Sequence, residues 1–383
     1  MKVVQAHNFY ASPGGEDRVV EREASIIRAM GHELIPWYCH NNASPGMAEK
    51  IRAALCCSWN PRAMAHLQEL GVGQGDILHV HNFFPWLSPA IFYQARQLGM
   101  KTVLTLHNFR LLTPTAVIES QNPSFSVKKN LLQAVSGAYQ GSAFAGLAVA
   151  RMIARHHAMG TWQHQVDTFI CPSDFVRRQF LCAGFDPEKL VVKAHFCDDP
   201  TSQKESVDLN GQRQYVLFVG RDDKAKGLDL LLRAWWNIDM PLIVAGVSRP
   251  RNLSCPPQVV FKGQQQAGAL SQLYAGAALV VVPSRVAETF GNVVMEAFAH
   301  QTPVLVSGSG ALSELVQPGE NGHWFDPENV DDLAVQVERM LKETELLRRF
   351  GHNARQTYLK HYTPQRNLAM LEAIYQNLTD RDS

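Results

Sequence analysis

The sequence predicts an α/β protein built from two doubly wound, parallel-sheet domains, and three observations carry that prediction. Short apolar runs rich in Val, Ile and Leu alternate with amphipathic helical stretches, the pattern of strands covered on both faces by helices. The chain has 383 residues, more than one compact α/β core usually holds. The alternation also breaks once, across the polar stretch from Asp198 to Arg213, and then restarts, as at a linker between domains.

In the first half, strands are expected at Val3 to Ala6, Glu33 to Tyr38, Asp76 to His81, Thr102 to Leu106, Asp167 to Cys171 and Leu190 to Lys193. Helices such as Asp17 to Met30 and Pro89 to Leu98 lie between them. After the polar stretch, Tyr215 to Val219, Leu242 to Ala245, Val259 to Phe261, Leu279 to Val282, Val304 to Val306 and His323 to Phe325 read as strands of a second sheet. The segment from Pro364 to Thr379 reads as a final helix, with Leu368, Leu371 and Ile374 on a partly apolar face.

Composition narrows the function classes. Hydrophobic residues make up 46% and charged residues 19% of the chain, enough apolar material for two cores and too little charge for disorder. With 36 Lys and Arg against 35 Asp and Glu, no global field would hold the chain on nucleic acid. Seven cysteines without a C-x-x-C pair support neither a disulfide framework nor a zinc cage, so they are read as reduced, buried thiols. The chain enters directly with a strand-like segment and contains no apolar run of membrane-spanning length, which points to the cytoplasm.

Ligands of doubly wound domains bind beyond the carboxyl ends of the strands, so the loops leaving those ends are the places to search. After the first strand, Ser12-Pro13-Gly14-Gly15 opens a helix; paired glycines and free N–H groups suit a phosphate, or simply a tight turn. The loop Gly220-Arg221-Asp222-Asp223-Lys224-Ala225-Lys226-Gly227 crowds cations at a helix start, where the helix dipole disfavours them unless an anion intervenes. A diphosphate is one such anion; pairing of the cations with Asp222 and Asp223 is the plainer alternative. A third loop holds Glu288 and leads into a helix holding Glu296, with Gly291 and Asn292 at the helix start. Such carboxylates can each accept from two neighbouring hydroxyls of a sugar or ribose, although a helix-start Glu and an exposed helical Glu would look the same.

Taken together, these elements resemble family four of the retaining glycosyltransferases, enzymes of the GT-B fold. The likeness runs through Gly14-Gly15, Ala29-Met30-Gly31-His32-Glu33, Asp76-Ile77-Leu78-His79-Val80-His81, Thr105-Leu106-His107-Asn108 and Cys171-Pro172-Ser173. It continues through Gly220-Arg221 to Lys226-Gly227, Pro283-Ser284, Glu288-Thr289-Phe290-Gly291 to Glu296-Ala297, Thr302-Pro303-Val304 and Gly319-Glu320-Asn321-Gly322. The resemblance implies two Rossmann-like domains facing across a cleft, an acceptor domain at 1–197 and a donor domain at 198–359, with a helix in 360–383 crossing back to the first. It implies that Arg221 and Lys226 hold the donor diphosphate, that Glu296 binds the ribose, and that Glu288 contacts the transferred sugar, which His107 faces from the first domain. Gly14 and Gly15 would lie near the diphosphate and acceptor, Thr289, Phe290, Gly291 and Asn292 would border the donor, and backbone near Gly263 would meet the base.

The implied activity is transfer of a hexose from a nucleotide-diphosphate sugar to a glycan or lipid-linked acceptor, as in polysaccharide or glycolipid assembly, without a resident cofactor. No metal site is expected: the only Asp-x-Asp is Asp380-Arg381-Asp382 at the frayed end, and His79-Val80-His81 is read as sending its two imidazoles to opposite faces of a strand. The basic, Ala- and Leu-rich segment from Phe125 to Gly160 suits either a packed helix or contact with an anionic membrane surface. Asn82-Phe83-Phe84-Pro85-Trp86 offers an aromatic acceptor wall or ordinary core. Gln301 stands where relatives usually carry glycine, so a local backbone difference is expected there. Two other readings remain, a sugar-nucleotide epimerase of related fold and a non-catalytic nucleotide-sugar binding protein.

Overall fold

The structure is a computed structural model that describes residues 1–10, 14–42, 44–118, 125–137, 139, 141–201, 213–249 and 254–380. Ser12, Pro13, most of the polar stretch from Asp198 to Arg213, and two of the three residues of Asp380-Arg381-Asp382 lie outside the described residues. The chain divides into two compact units, Met1–Ala194 with Asn367–Ser383, and His195–Arg366.

The first unit carries strands β1 (Lys2–Phe9), β2 (Glu33–His40), β3 (Ile77–Asn82), β4 (Lys101–Thr105), β5 (Thr168–Cys171) and β6 (Leu190–Val192). They form one parallel sheet in the order β2-β1-β3-β4-β5-β6. Its helices are α1 (Gly15–Ala29), α2 (Met47–Cys56), α3 (Pro61–Glu69), α4 (Ala90–Gln97), α5 (Val127–Val135), α6 (Ala143–Ala158), α7 (Thr161–His164) and α8 (Asp174–Cys182). Val3, Val4, Ile77, Leu78 and Val80 are all fully buried, as expected of strands covered on both faces, where alternation is lost and apolar runs become continuous.

The second unit repeats the plan with β7 (Tyr215–Val219), β8 (Leu242–Ala245), β9 (Val259–Gly263), β10 (Ala277–Val282), β11 (Val304–Ser307) and β12 (Gly322–Phe325). Their order is β12-β11-β10-β7-β8-β9, again parallel. Its helices are α9 (Leu228–Ala234), α10 (Ala267–Gly276), α11 (Asn292–Ala299), α12 (Leu312–Leu315), α13 (Val330–Lys342) and α14 (Thr344–His361), and α15 (Pro364–Asp380) ends the chain.

Residues 195–197 and 360–366 group with the second unit, whereas the sequence reading assigned them to the first. Side-chain packing accounts for this: the Tyr358 hydroxyl donates to Cys197 O at 2.9 Å, and the His195 ring meets Phe290 edge-on at 5.0 Å. From Asn367 onward α15 packs on the first unit, where Asn367 Oδ1 accepts from Lys193 Nζ at 3.0 Å and the Tyr375 hydroxyl lies 2.8 Å from His79 Nδ1.

Candidate functional site

In each sheet the chain builds outward on one side of the first strand and then returns to the other. The second sheet reverses between β7 and β10, which are hydrogen-bonded neighbours. The loops leaving these two strands therefore diverge from a common crevice, the place where open α/β sheets bind ligands.

The loop after β7 carries Arg221 and Lys226. Asp223 accepts the Ala225 N–H at 2.9 Å and starts a 3₁₀ turn over Lys224–Lys226, after which Gly227 at φ +68° caps α9. A side chain at Gly227 would put Cβ 1.9 Å from Pro283 O, so only glycine lets the β7 loop lie against the β10 loop. The Arg285 N–H then donates to Ala225 O at 2.8 Å and fastens the two loops together.

This contact sets the charged centre. Lys226 Nζ lies 2.7 Å from Glu288 Oε1, and the Ser284 hydroxyl donates to the same oxygen at 2.6 Å. Burial alone would raise the Glu288 pKa, but the Lys226 ammonium, the Ser284 hydroxyl and the Arg221 guanidinium outweigh it and hold the carboxyl below its usual range. Glu288 is thus a carboxylate at neutral pH. The plainer expectation that Lys226 pairs with Asp222 or Asp223 is replaced, since Asp223 is spent on the turn.

Arg221 is exposed and forms no ion pair among the described residues. Arg285, by contrast, is engaged by Asp229 at 2.6 Å and Glu328 at 3.4 Å. Glu296, in the second turn of α11, is buried at 6% exposure and accepts from the Tyr274 hydroxyl at 3.0 Å. Asn292 Oδ1, at the start of α11, is shielded from solvent and has no hydrogen-bond partner among the described residues, a cost that a bound donor group would relieve.

Other expected donor residues contribute differently. Phe290 is buried and packs edge-on against His195 and Tyr362, so its side chain supports the loop from within. Gly263 donates to Val247 O at 3.1 Å and accepts from Gly246 N at 2.7 Å, which commits its backbone to the end of β9. Gly291 caps α11 and Thr289 lies half-buried in the loop before it.

In the first unit the reversal falls between β1 and β3. Gly14 and Gly15 open α1, but the Gly14 N–H is taken by Asp17 Oδ2 at 2.7 Å, and Asp17 Oδ1 lies 2.8 Å from His7 Nε2. His107 follows β4, with Nε2 3.0 Å from His81 Nδ1. His81 Nε2 is 3.2 Å from Glu23 Oε2, whose other oxygen lies 2.6 Å from Lys193 Nζ.

One sequence expectation is corrected here. His79 and His81 do not point to opposite faces: their rings stack at 4.4 Å, and with Glu23 their ligand atoms gather within 4.8 Å. Residues two apart in a strand share a face. The cluster is closed by hydrogen bonds, since His79 spends both nitrogens on Tyr375 and Thr105 at 2.8 Å each, and Lys193 supplies the counter-charge to Glu23. Burial pushes the His79 pKa down to about 4 and that of His81 well below the ordinary value.

Gln301 adopts φ +56°, the left-handed conformation that favours glycine. Phe83 and Phe84 are buried core residues, while Trp86 stays partly exposed. Of the cysteines, Cys57, Cys171 and Cys197 are buried and Cys182 is exposed, so the uniform buried-thiol expectation holds for only some. Sequence reasoning missed Tyr274, which has no spacing signal linking it to Glu296, and Gly310, whose Cβ would stand 2.7 Å from Glu288 N. Among the described residues, no helix is long and apolar enough to cross a membrane.

Residues 13–198 match the family described as Glycosyltransferase Family 4, and residues 199–357 match Glycosyl transferases group 1. An uncharacterized glycosyltransferase of Methanocaldococcus jannaschii is 31% identical over 207 residues, which span 51% of this chain and 52% of that protein. The D-inositol 3-phosphate glycosyltransferase of Rhodococcus opacus is 25% identical over 373 residues, spanning 89% of this chain and 77% of that protein. Among solved structures, the sucrose-phosphate synthase of Thermosynechococcus elongatus superposes with a TM-score of 0.73 at 18% identity, covering all of both chains. Anabaena HepE in complex with UDP-glucose superposes with a TM-score of 0.67 at 15% identity, covering 98% of this chain and 100% of that one.

Proposed function

From the premise that the chain belongs to the family-four glycosyltransferases, with their two Rossmann-like domains, we propose that it moves a hexose from a nucleotide-diphosphate sugar to a glycan or lipid-linked acceptor. The observation that carries this reading is the Lys226–Glu288 contact at the reversal of the second sheet, with the unpaired Arg221 cation beside it. We assign a donor diphosphate to these two cations, with Glu288 and Glu296 taking hydroxyls of the sugar and ribose. The neighbour that holds UDP-glucose supports UDP-sugars as the first donors to test, and the relative named for inositol 3-phosphate supports a polyol or sugar acceptor.

Chemically, the bond from the anomeric carbon to the diphosphate oxygen breaks while charge gathers on the departing phosphate. Arg221 and Lys226 are fixed cations placed to stabilise that charge, an arrangement that acts without a metal. We assign Glu288 to sugar hydroxyls, so the leaving phosphate itself takes the acceptor proton as the acceptor oxygen joins the same face, with retention of configuration. His107 is assigned to the transferred sugar in the same reaction. The test is turnover of a panel of UDP, GDP, ADP and TDP sugars in EDTA, with the product anomer read by NMR. Activity abolished by EDTA and restored by Mg²⁺, or an inverted product, contradicts the proposal.

The setting we propose is peripheral, at an anionic membrane face. Met47 and Leu55 of α2, Leu132 and Val135 of α5 and Phe144 of α6 are 58–73% exposed. No carboxylate occurs from Ser120 to Val166, a stretch that holds Lys128, Lys129, Arg151 and Arg155. Exposed apolar side chains in a stretch whose charges are all cationic favour an anionic lipid surface. Sedimentation with phosphatidylglycerol vesicles at low salt, lost in Leu132→Glu/Phe144→Glu, is the expected result; no sedimentation of the wild type contradicts it.

A further inference from the structure

A cavity of about 680 Å³ opens in the first unit beside α2, α3 and the end of β2. We propose that it recognises the acceptor, and that the group it takes is a sugar ring bearing a carboxylate or phosphate. The proposal rests on the transferase reading and deepens it on the acceptor side, where the sequence offered only the aromatic stretch Asn82-Phe83-Phe84-Pro85-Trp86.

The lining supplies two kinds of contact. Trp37 and Trp86 both line the cavity, Trp37 at 7% exposure and Trp86 half-buried, and exposed indole surface packs against the C–H faces of pyranose rings. Arg52 and Arg62 also line it. The Arg52 guanidinium is held 5.5 Å from the Trp86 ring centroid. Arg62 is fixed at the start of α3, where its N–H donates to Asn60 Oδ1 at 3.1 Å, and the Asn60 amide in turn donates to Trp86 O.

Neither guanidinium forms an ion pair among the described residues. Glu49 is the carboxylate on the lining, and it accepts from Asn42 Nδ2 at 3.3 Å. A neutral sugar would gain the stacking and leave the two forks to water. An anionic sugar gains charge-assisted, planar hydrogen bonds as well. The volume lies in the range of small-molecule sites.

The position is also apt. His40, on the cavity wall, stacks on Phe9 at 4.9 Å, and Phe9 meets His7 edge-on at 4.5 Å. His7 is bonded to Asp17, which also holds the Gly14 N–H. The cavity wall is therefore linked, through packed side chains, to the reversal point of the first sheet, where this fold places ligands.

The test is ¹⁹F NMR of the full chain labelled with 5-fluorotryptophan, with the Trp37 and Trp86 lines assigned by Trp→Phe variants. Glucuronic acid, glucose 6-phosphate, glucose and inorganic phosphate serve as probes. The anionic sugars are expected to shift these two lines at concentrations roughly tenfold below glucose, and Arg52→Gln/Arg62→Gln to remove roughly that tenfold. The Trp235 line and the melting temperature should stay unchanged in that variant. Equal titration by glucose and glucuronic acid overturns the proposal, as does phosphate acting as tightly as glucose 6-phosphate, or two lines that never move. Nucleotide-sugar binding is read separately by thermal shift: if it occurs and the two lines stay still, the cavity proposal fails alone. If no nucleotide sugar binds, the reading it rests on fails and the acceptor role falls with it.

Discussion

Lys226 and Glu288 lie 62 positions apart in sequence, yet their side chains meet at 2.7 Å because two loops leave neighbouring strands at the reversal of the second sheet. The contact is partly open to solvent, with side-chain exposures of 30% and 18%. A pair so placed adds only about 0–1 kcal/mol to stability. We propose that its value lies in holding a cation and a carboxylate ready for a ligand that carries both phosphates and hydroxyls.

Lys226→Ala should therefore separate function from stability. Loss of a fixed cation from the leaving group lowers kcat/KM by about a hundredfold or more, while the denaturant midpoint moves little. Steady-state kinetics beside urea unfolding checks this; parallel losses in both would mean the pair is chiefly structural.

Glu296→Gln keeps an acceptor for the Tyr274 hydroxyl but weakens acceptance from the ribose. The donor KM should rise by about tenfold with kcat less affected. Tyr274→Phe should produce a smaller rise of the same kind, because it frees the carboxylate without removing it. An unchanged KM in Glu296→Gln would take that residue out of the donor site.

Gly310→Ala tests the backbone that supports Glu288. Gly310 has φ +62°, and its Cβ would stand 2.7 Å from Glu288 N and 2.8 Å from Ala287 C. The strain costs about 1–3 kcal/mol and shifts Glu288, so activity and melting temperature both fall. Gly308→Ala is the control, since its Cβ meets nothing closer than Trp324 at 3.5 Å. Equal behaviour of the two variants would refute the close approach.

Two buried histidines fix how stability responds to acid. His79 and His156 are each pulled down to about 4, chiefly by burial. Between about 4 and the ordinary value near 6.5, the unfolded chain binds protons that the folded chain refuses. Stability accordingly falls as pH drops through that window, by up to about 1.4 kcal/mol per pH unit for each histidine, and the loss ends below it. The depressed Glu288 carboxyl acts in the same direction at lower pH: its contribution is present above the ordinary carboxylate range and is lost as pH falls through its folded pKa. Urea unfolding at pH 7.5, 6 and 5 measures the slope, and a flat profile contradicts it. His156→Gln should flatten it in part.

Much of the architecture was legible because buried parallel strands are continuous apolar runs; Tyr215 to Val219 and Leu242 to Ala245 were readable to the residue. Arg221 and Lys226 were also legible, since they set cations beside Gly220 and Gly227 at a helix start, whereas Glu288 drew its weight from the family resemblance. What these residues touch was not legible. Lys226 reaches Glu288 because β7 and β10, far apart in the chain, pair as neighbours, while Tyr274 and Gly310 come to Glu296 and Glu288 from separate elements; no local pattern records that. His79 and His81 were misread by applying the strand alternation at the wrong interval. The cavity beside Trp37 and Trp86 was invisible because α2, α3 and the loop after β3 assemble it from separate segments.

The central claim is that the Lys226–Glu288 loops hold a nucleotide-diphosphate sugar. Thermal shift of wild type and Lys226→Ala with UDP, GDP, ADP and TDP sugars, in EDTA, tests it most directly, because stabilisation grows with ligand concentration over its dissociation constant. At least one sugar nucleotide should raise the wild-type melting temperature, with an apparent affinity about tenfold or more weaker in Lys226→Ala. No shift of the wild type with any of the four, or an equal shift in both proteins, would contradict the account.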